Sequence, residues 1–407
     1  MAVETARIPG TVLRDLRSQS TIRKGQERID HLMAAHFDLH VSAGTWFATP
    51  GGGRFHDRYV PSMKMPEILE MYGHIEGLEG VASHYDGEFT AADLPMFTAH
   101  AEKTGQHLMG IALSHFYDKV FEYGAADSPI PQVRKQALDI TVGALKIAKQ
   151  LQDETGDERL VISWPGISGF TQPFGYDFHQ ALDNYESSMA QAMNIVPGVR
   201  LAIEGKPYEP APNNILRSTG STILTAMNIE KKLINPENTA LLNEGHSLVG
   251  LNPEYGHVKM LNEVWAQELA NICRYGKLFL THWNSQPVGN YDQDLNVGIV
   301  HPEEVFSGLS VLRELAPMVW CEIDINPERQ PADNAIRRNI RVLSLAANRL
   351  NDAMSDKYFA ELVVAGYENP YYFRANLDDL STALTMGDAH NFTLLHDAEG
   401  RNLVQQN

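Results

Sequence analysis

Eight short apolar runs, rich in β-branched residues, recur along this 407-residue chain at positions 37–42, 80–84, 108–113, 159–164, 199–204, 247–252, 277–282 and 318–324. The stretches between them place apolar residues three and four apart; VRKQALDITVGALKIAKQL at 133–151 is one amphipathic crossover of this kind. A strand that reads as a continuous apolar run is buried on both faces, and alternation with helices makes the sheet parallel. Eight such units predict an α/β chain closed into a (β/α)8, or TIM, barrel over residues 36–330; an open doubly wound sheet is the alternative. Residues 1–35 read as a helical lead-in. Residues 331–360 read as one long helix and 361–407 as a mixed tail, so 331–407 form a C-terminal helical extension, expected to contact a neighbouring subunit.

Charge and composition remove several function classes. A formal net charge of −18 disfavours nucleic acid, whose binding needs clustered Lys and Arg to displace counterions. A neutral or cationic small substrate is easier to accommodate. No apolar run is long enough to cross a bilayer, and the N-terminus, with charges mixed along it, lacks the apolar core of a secretory signal. Two cysteines, Cys273 and Cys321, indicate no disulfide framework. The expectation is a cytoplasmic enzyme with neither membrane nor nucleic-acid partners.

Polar residues collect at the ends of the runs. Glu204, His282 and Asp324 close the fifth, seventh and eighth; Glu254 and His257 follow the sixth; Asp292 and Asp294 follow the seventh. In a barrel these positions converge on the C-terminal face, where active sites lie. Carboxylates gathered there repel unless cations neutralise them, and carboxylate mixed with imidazole suits first-row divalent metals. Glu254 and His257, three apart and flanked by Pro253 and Gly256, share one turn of backbone. Asp292 and Asp294, one residue apart, can grip one cation. Lys206, two residues from Glu204 and stopped by Pro207, is placed to polarise a substrate oxygen. Five carboxylates (Glu204, Glu254, Asp292, Asp294, Asp324) balance two divalent ions plus Lys206, −5 against +5. Trp164, at the fourth strand end, offers an aromatic face for sugar C–H surfaces, and His84, at the second, a proton donor or acceptor at a sugar ring oxygen or O1.

The segments AIEGKPYEP, GLNPEYGH, YDQDL and WCEIDINPER resemble, in order and spacing, the metal-site motifs of the xylose isomerase-like superfamily, over residues 37–330. The resemblance implies a (β/α)8 barrel, two divalent cations, aldose–ketose isomerisation and a homodimer or homotetramer. It also implies that Glu204, Glu254, His282 and Asp324 hold a first metal and Glu254, His257, Asp292 and Asp294 a second, with Glu254 bridging. Lys206 corresponds to the lysine that polarises the sugar carbonyl, Trp164 to the tryptophan that walls the substrate, and Phe116, in LSHFYDKVF, to a second pocket aromatic. There are two departures. Position 282 is histidine, as at the equivalent ligand of L-rhamnose isomerases, where xylose isomerases place aspartate. The HDDD segment of xylose isomerases, whose third aspartate orients the histidine, here reads His84-Tyr85-Asp86-Gly87. Asp86 substitutes for that aspartate, or ring opening is arranged differently, or the substrate has no ring to open.

The reading is a divalent-metal-dependent isomerase of a monosaccharide: a pentose, a hexose, or a deoxy or branched sugar. Lys206, His84 and Asp324 are the candidate catalytic residues, with Trp164, Phe116, His257 and Asp86 at the substrate. Two imidazole ligands favour Mn²⁺ or Co²⁺, with Mg²⁺ also possible. The competing reading keeps barrel and metals but makes the reaction epimerisation, dehydration or lyase chemistry on a keto-sugar, cyclitol or sugar glycoside. A metal-storage or sugar-binding protein has little use for Lys206 beside such a centre.

Overall fold

The computed structural model describes residues 21–49, 59–166 and 170–386. All eight predicted strands form: β1 (His40–Gly44), β2 (Gly80–Tyr85), β3 (His107–Leu113), β4 (Leu160–Ser163), β5 (Arg200–Ile203), β6 (Val249–Leu251), β7 (Leu280–Trp283) and β8 (Trp320–Ile323). They pair in parallel in the order β6-β5-β4-β3-β2-β1-β8-β7. The two ends of that order are joined as well. Leu251 N donates to the Lys277 carbonyl at 2.6 Å and Phe279 N to the Leu251 carbonyl at 3.1 Å, a parallel bridge that closes the sheet into a TIM barrel. Gly250 makes this seam possible, since a Cβ there would lie 2.5 Å from the Lys277 carbonyl oxygen.

Two strands start about three residues later than the apolar runs suggest, for identifiable reasons. Phe37 spends its backbone groups on the side chain of Asn351, donating to Oδ1 at 3.0 Å and accepting from Nδ2 at 3.0 Å, so β1 begins at His40. Residues 277–279 belong to the seam instead of β7.

Helices in the crossovers bury their apolar stripes on the strands. The long α4 (Pro131–Thr155) does so with Ala137, Ile140, Ala144, Ala148 and Leu151, three or four apart. It starts with proline at its first position, where no amide hydrogen is needed, and stops at Gly156, whose φ of 75° suits the left-handed cap. Before it come α1 (Gly25–Ala34), α2 (Met65–Tyr72) and α3 (Leu94–Thr104); after it come α5 (Phe178–Ile195), α6 (Thr219–Lys231), α7 (Pro236–Asn243), α8 (Tyr255–Met260), α9 (Trp265–Arg274) and α10 (Pro302–Leu315). No helix among the described residues is long and apolar enough to cross a membrane.

The predicted helix at 331–360 is two. α11 (Ala332–Ser355) ends where Asp356 turns extended, and the Asp356 carboxylate caps the next helix, α12 (Lys357–Glu368), by accepting from Phe359 N at 3.0 Å. An N-cap aspartate satisfies amides that would otherwise lack partners, so it starts a helix more readily than it continues one. Ile336, Ile340, Leu343 and Leu350 of α11 are buried, each contributing about 1.5–3 kcal/mol. Asn339 shares that buried face because its Oδ1 accepts from Val297 N at 2.6 Å, which ties the loop after β7 to the helix. α13 (Pro370–Met386) follows. The extension packs on its own chain: Ala360 and Val364 of α12 cluster with Leu32 of α1, beside Ile29 and Met33. Residues 1–20 of the lead-in and 387–407 of the tail lie outside the described residues.

Candidate metal centre

The predicted ligands gather on the C-terminal side of the barrel: Glu204, Glu254, His282 and Asp324 at or just past strand ends, His257 in the helix after β6, and Asp292 and Asp294 in the loop after β7. Glu204 N continues the β5 ladder by donating to the Ser163 carbonyl at 2.9 Å, and its buried carboxylate accepts from Asn252 Nδ2 at 3.0 Å. After β6, Pro253 turns the chain into α8; Glu254 sits at its N-cap and His257 one turn inside. His282 lies within β7 and Asp324 directly follows β8. Asp292 and Asp294 return to the barrel because Ser285 and Leu295 exchange backbone hydrogen bonds of 2.8 and 3.0 Å, which pinch the loop. Asp294 adopts a φ of 46°, and Asn284 Nδ2 braces the result, donating to Glu254 Oε1 at 2.8 Å and Asp294 Oδ1 at 2.9 Å.

The seven side chains thus converge. Ligand atoms of Glu204, Glu254 and His257, of Glu254, His282 and Asp324, and of Glu254, Asp292 and Asp294 lie within 4.8 Å of one another in each group. Glu254 is common to all three. His282 Nδ1 lies 3.1 Å from Asp324 Oδ2, 3.2 Å from Glu204 Oε2 and 3.9 Å from Glu254 Oε2. Yet this nitrogen, like His257 Nδ1, makes no aligned hydrogen bond although it is buried. Buried imidazole nitrogens facing carboxylate oxygens without bonding them suit a shared cation, and the mixed N/O donor set suits a first-row divalent one.

Protons crowd the same groups when no cation is bound. Burial and the neighbouring Asp292 push the Glu254 carboxyl up to about 7. Burial alone would lower both imidazoles. Glu254 and Asp292 outweigh it at His257, and Glu204 with Asp324 outweighs it more strongly at His282, so His257 rises above its usual value and His282 well above it.

Two further carboxylates belong to the centre and correct the charge balance drawn from sequence. Glu209 pairs with Lys206 at 3.3 Å and accepts from Asp292 N at 3.1 Å; Glu322, fully buried on β8, lies 2.8 Å from His282 Nε2. Glu204, Glu209, Glu254, Asp292, Asp294, Glu322 and Asp324 total −7, so the +5 of two divalent ions and Lys206 would leave −2. Lys206 is itself engaged, 2.8 Å from Asp292 Oδ2 and stacked 5.4 Å from the centre of the Trp164 ring.

Above the ligands lies a cavity of about 340 Å³ whose lining includes Lys206, His84, Phe116, Trp164, Trp46 and Asp324. Phe116 stands 5.0 Å from Trp164 and 5.3 Å from His84, ring centre to ring centre. Asp86 is elsewhere. It lies exposed at the turn after β2, with a φ of 63°, its backbone amide bonded to the Phe89 carbonyl. The turn at Asp86-Gly87 instead swings Glu88 back over His84. Its carboxylate lies 3.2 Å from His84 Nδ1 and accepts from His84 N at 3.0 Å, Thr45 Oγ1 at 2.9 Å and Thr49 Oγ1 at 2.6 Å. Burial would raise this carboxyl, but the bonds from His84 and Thr49 hold it below its usual value. Sequence reasoning also missed Trp46, 4.8 Å from the His84 ring, whose Nε1 donates to Asp324 Oδ1 at 2.8 Å. Its position just after the first strand end was the available signal. For Glu322 the signal was its two-residue spacing from Asp324, which puts both on one face of the strand.

The chain is similar to known sugar enzymes. It is 24% identical to the xylose isomerase of Thermus thermophilus over 336 residues, 78% of this chain and 80% of that one. No protein-family model matches it. Among solved structures, an L-ribulose 3-epimerase superposes with a TM-score of 0.53 at 11% identity, over 78% of this chain and 99% of the other. A xylose isomerase domain protein from Alicyclobacillus acidocaldarius subsp. acidocaldarius superposes with a TM-score of 0.50 at 13% identity, over 78% and 99%. These superpositions show a shared TIM-barrel fold. The likeness of His282 to the ligand of L-rhamnose isomerases rests on the motif alone.

Proposed function

We propose that this protein is a divalent-metal-dependent sugar isomerase that interconverts an aldose and a ketose. One observation carries the reading: Glu254 is common to three convergent ligand groups on the floor of a cavity into which Lys206 and His84 also face. Glu204, Glu254, His282 and Asp324 would hold one ion and Glu254, His257, Asp292 and Asp294 another, Mn²⁺ or Co²⁺ suiting the two imidazoles better than Mg²⁺. Bound there, the ions supply Lewis acidity toward vicinal sugar oxygens.

The remaining work falls to the chain itself. The Lys206 ammonium donates to the sugar carbonyl oxygen and stabilises charge that develops on it. Glu88 keeps a proton of His84 on Nδ1, which leaves Nε2 to accept the O1 hydroxyl proton and pass it to the ring oxygen as the bond between C1 and that oxygen breaks. Trp164, Phe116 and Trp46 cover the apolar face of the sugar and exclude water. Asp324 serves as ligand, its orientation set by the Trp46 indole.

Solved structures of this fold include D-psicose and L-ribulose 3-epimerases, and epimerisation of a ketose is the reading to separate from isomerisation. The test is a panel of pentoses, hexoses and deoxy or branched aldoses with Mn²⁺, with products resolved by chromatography. Ketose formed from aldose supports the proposal; ketose epimers formed without any aldose–ketose exchange would replace it with the second reading.

A further inference from the structure

Glu322 belongs to no ligand group, yet it is a fully buried carboxylate directly beneath the metal centre. In the parallel register it is the Cα partner of Ser42 on β1 and of His282 on β7, so the three residues form one rung across adjacent strands. Each carboxylate oxygen has one partner. Ser42 Oγ donates to Oε2 at 2.8 Å, and Oε1 lies 2.8 Å from His282 Nε2.

We propose that Glu322 is a positioning residue of the metal centre, acting through His282. A carboxylate on Nε2 holds a proton there, which turns the lone pair of Nδ1 toward Glu204, Glu254 and Asp324 and locks the ring plane. It also returns a negative charge to a ligand position that histidine, unlike aspartate, leaves neutral. His282 and Glu322 together are thus an anionic ligand spread over two side chains. This inference rests on the metal reading of the same site.

Mn²⁺ titration calorimetry of the full chain after chelator stripping tests it, with the Co²⁺ absorption spectrum as a second readout. Glu322→Gln preserves shape and an acceptor oxygen but removes the charge. It should weaken Mn²⁺ binding by about 10- to 100-fold and shift the Co²⁺ bands. If the variant lowers the melting temperature of the stripped protein but binds Mn²⁺ like wild type with an unchanged Co²⁺ spectrum, Glu322 is only a strut between β7 and β8 and the proposal is overturned. Should Glu322→Gln not fold, Ser42→Ala decides, since it leaves the carboxylate in place and removes one tether: weakened Mn²⁺ binding supports the proposal and wild-type binding overturns it. Wild-type protein that takes up neither Mn²⁺ nor Co²⁺ would instead overturn the metal reading itself, and this inference with it.

Discussion

Removing metal should destabilise this protein more at pH 8 than at pH 5, and the reason is written in the groups that take up protons when the ions leave. The Glu254 carboxyl, usually near 4.5, rises to about 7 in the fold. A carboxyl raised in this way lends the folded state stability that is fully present below pH 4.5 and is lost as the pH rises through 7. That loss amounts to ~3 kcal/mol for Glu254, which is buried and gains little from solvent screening. His257 and His282 are also raised, so the stability they lend is present below their ordinary 6.5 and lost as the pH passes their higher folded values. All three groups act in the same direction. Bound cations reverse the trend, because they need deprotonated ligands and displace protons to bind. The gap in melting temperature between Mn²⁺-saturated and chelator-treated protein should therefore widen from pH 5 to pH 8. Every kcal/mol moves Tm by roughly 2–4 °C in domains of 150–250 residues and by less in a longer chain, so widening on the order of 5 °C is expected. Differential scanning calorimetry at pH 5, 6, 7 and 8 measures it directly. Titrations common to both forms cancel in the difference. A gap that stays constant, or narrows toward pH 8, would refute the assignment of these three groups to a shared cation centre.

Glu254→Gln should abolish uptake of both ions and activity together, since that carboxylate joins all three ligand groups; turnover with full metal content by elemental analysis contradicts the bridging role. Around His84, Glu88→Gln should lower kcat by about 10- to 100-fold on a sugar supplied in its ring form, with metal content unchanged, whereas Asp86→Asn should leave kcat within twofold. The opposite ranking in a steady-state assay of the two variants would return the orienting role to Asp86.

Much of this molecule is legible from its sequence because the relevant signals are local. A doubly buried strand must be apolar along its whole length, and a crossover helix must repeat its apolar face every three or four residues, so eight units announce themselves without any knowledge of contacts. Residues at strand ends then share one face of the barrel by geometry alone, which is why Glu204, Glu254, His257, His282, Asp292, Asp294 and Asp324 group together from the sequence. What tertiary structure decided depends on pairings between segments far apart in the chain. Glu322 becomes part of the centre only because β7, β8 and β1 settle in a register that lines it up with His282 and Ser42. Trp46 reaches Asp324 across 278 positions, Lys206 meets Asp292 across the mouth, and the closing bridge from Leu251 to Lys277 and Phe279 lies where neither run is strongest. The exchange of Asp86 for Glu88 shows the limit at its smallest scale. Two carboxylates two residues apart look alike in sequence, and one left-handed turn sends the first to solvent and folds the second onto the histidine.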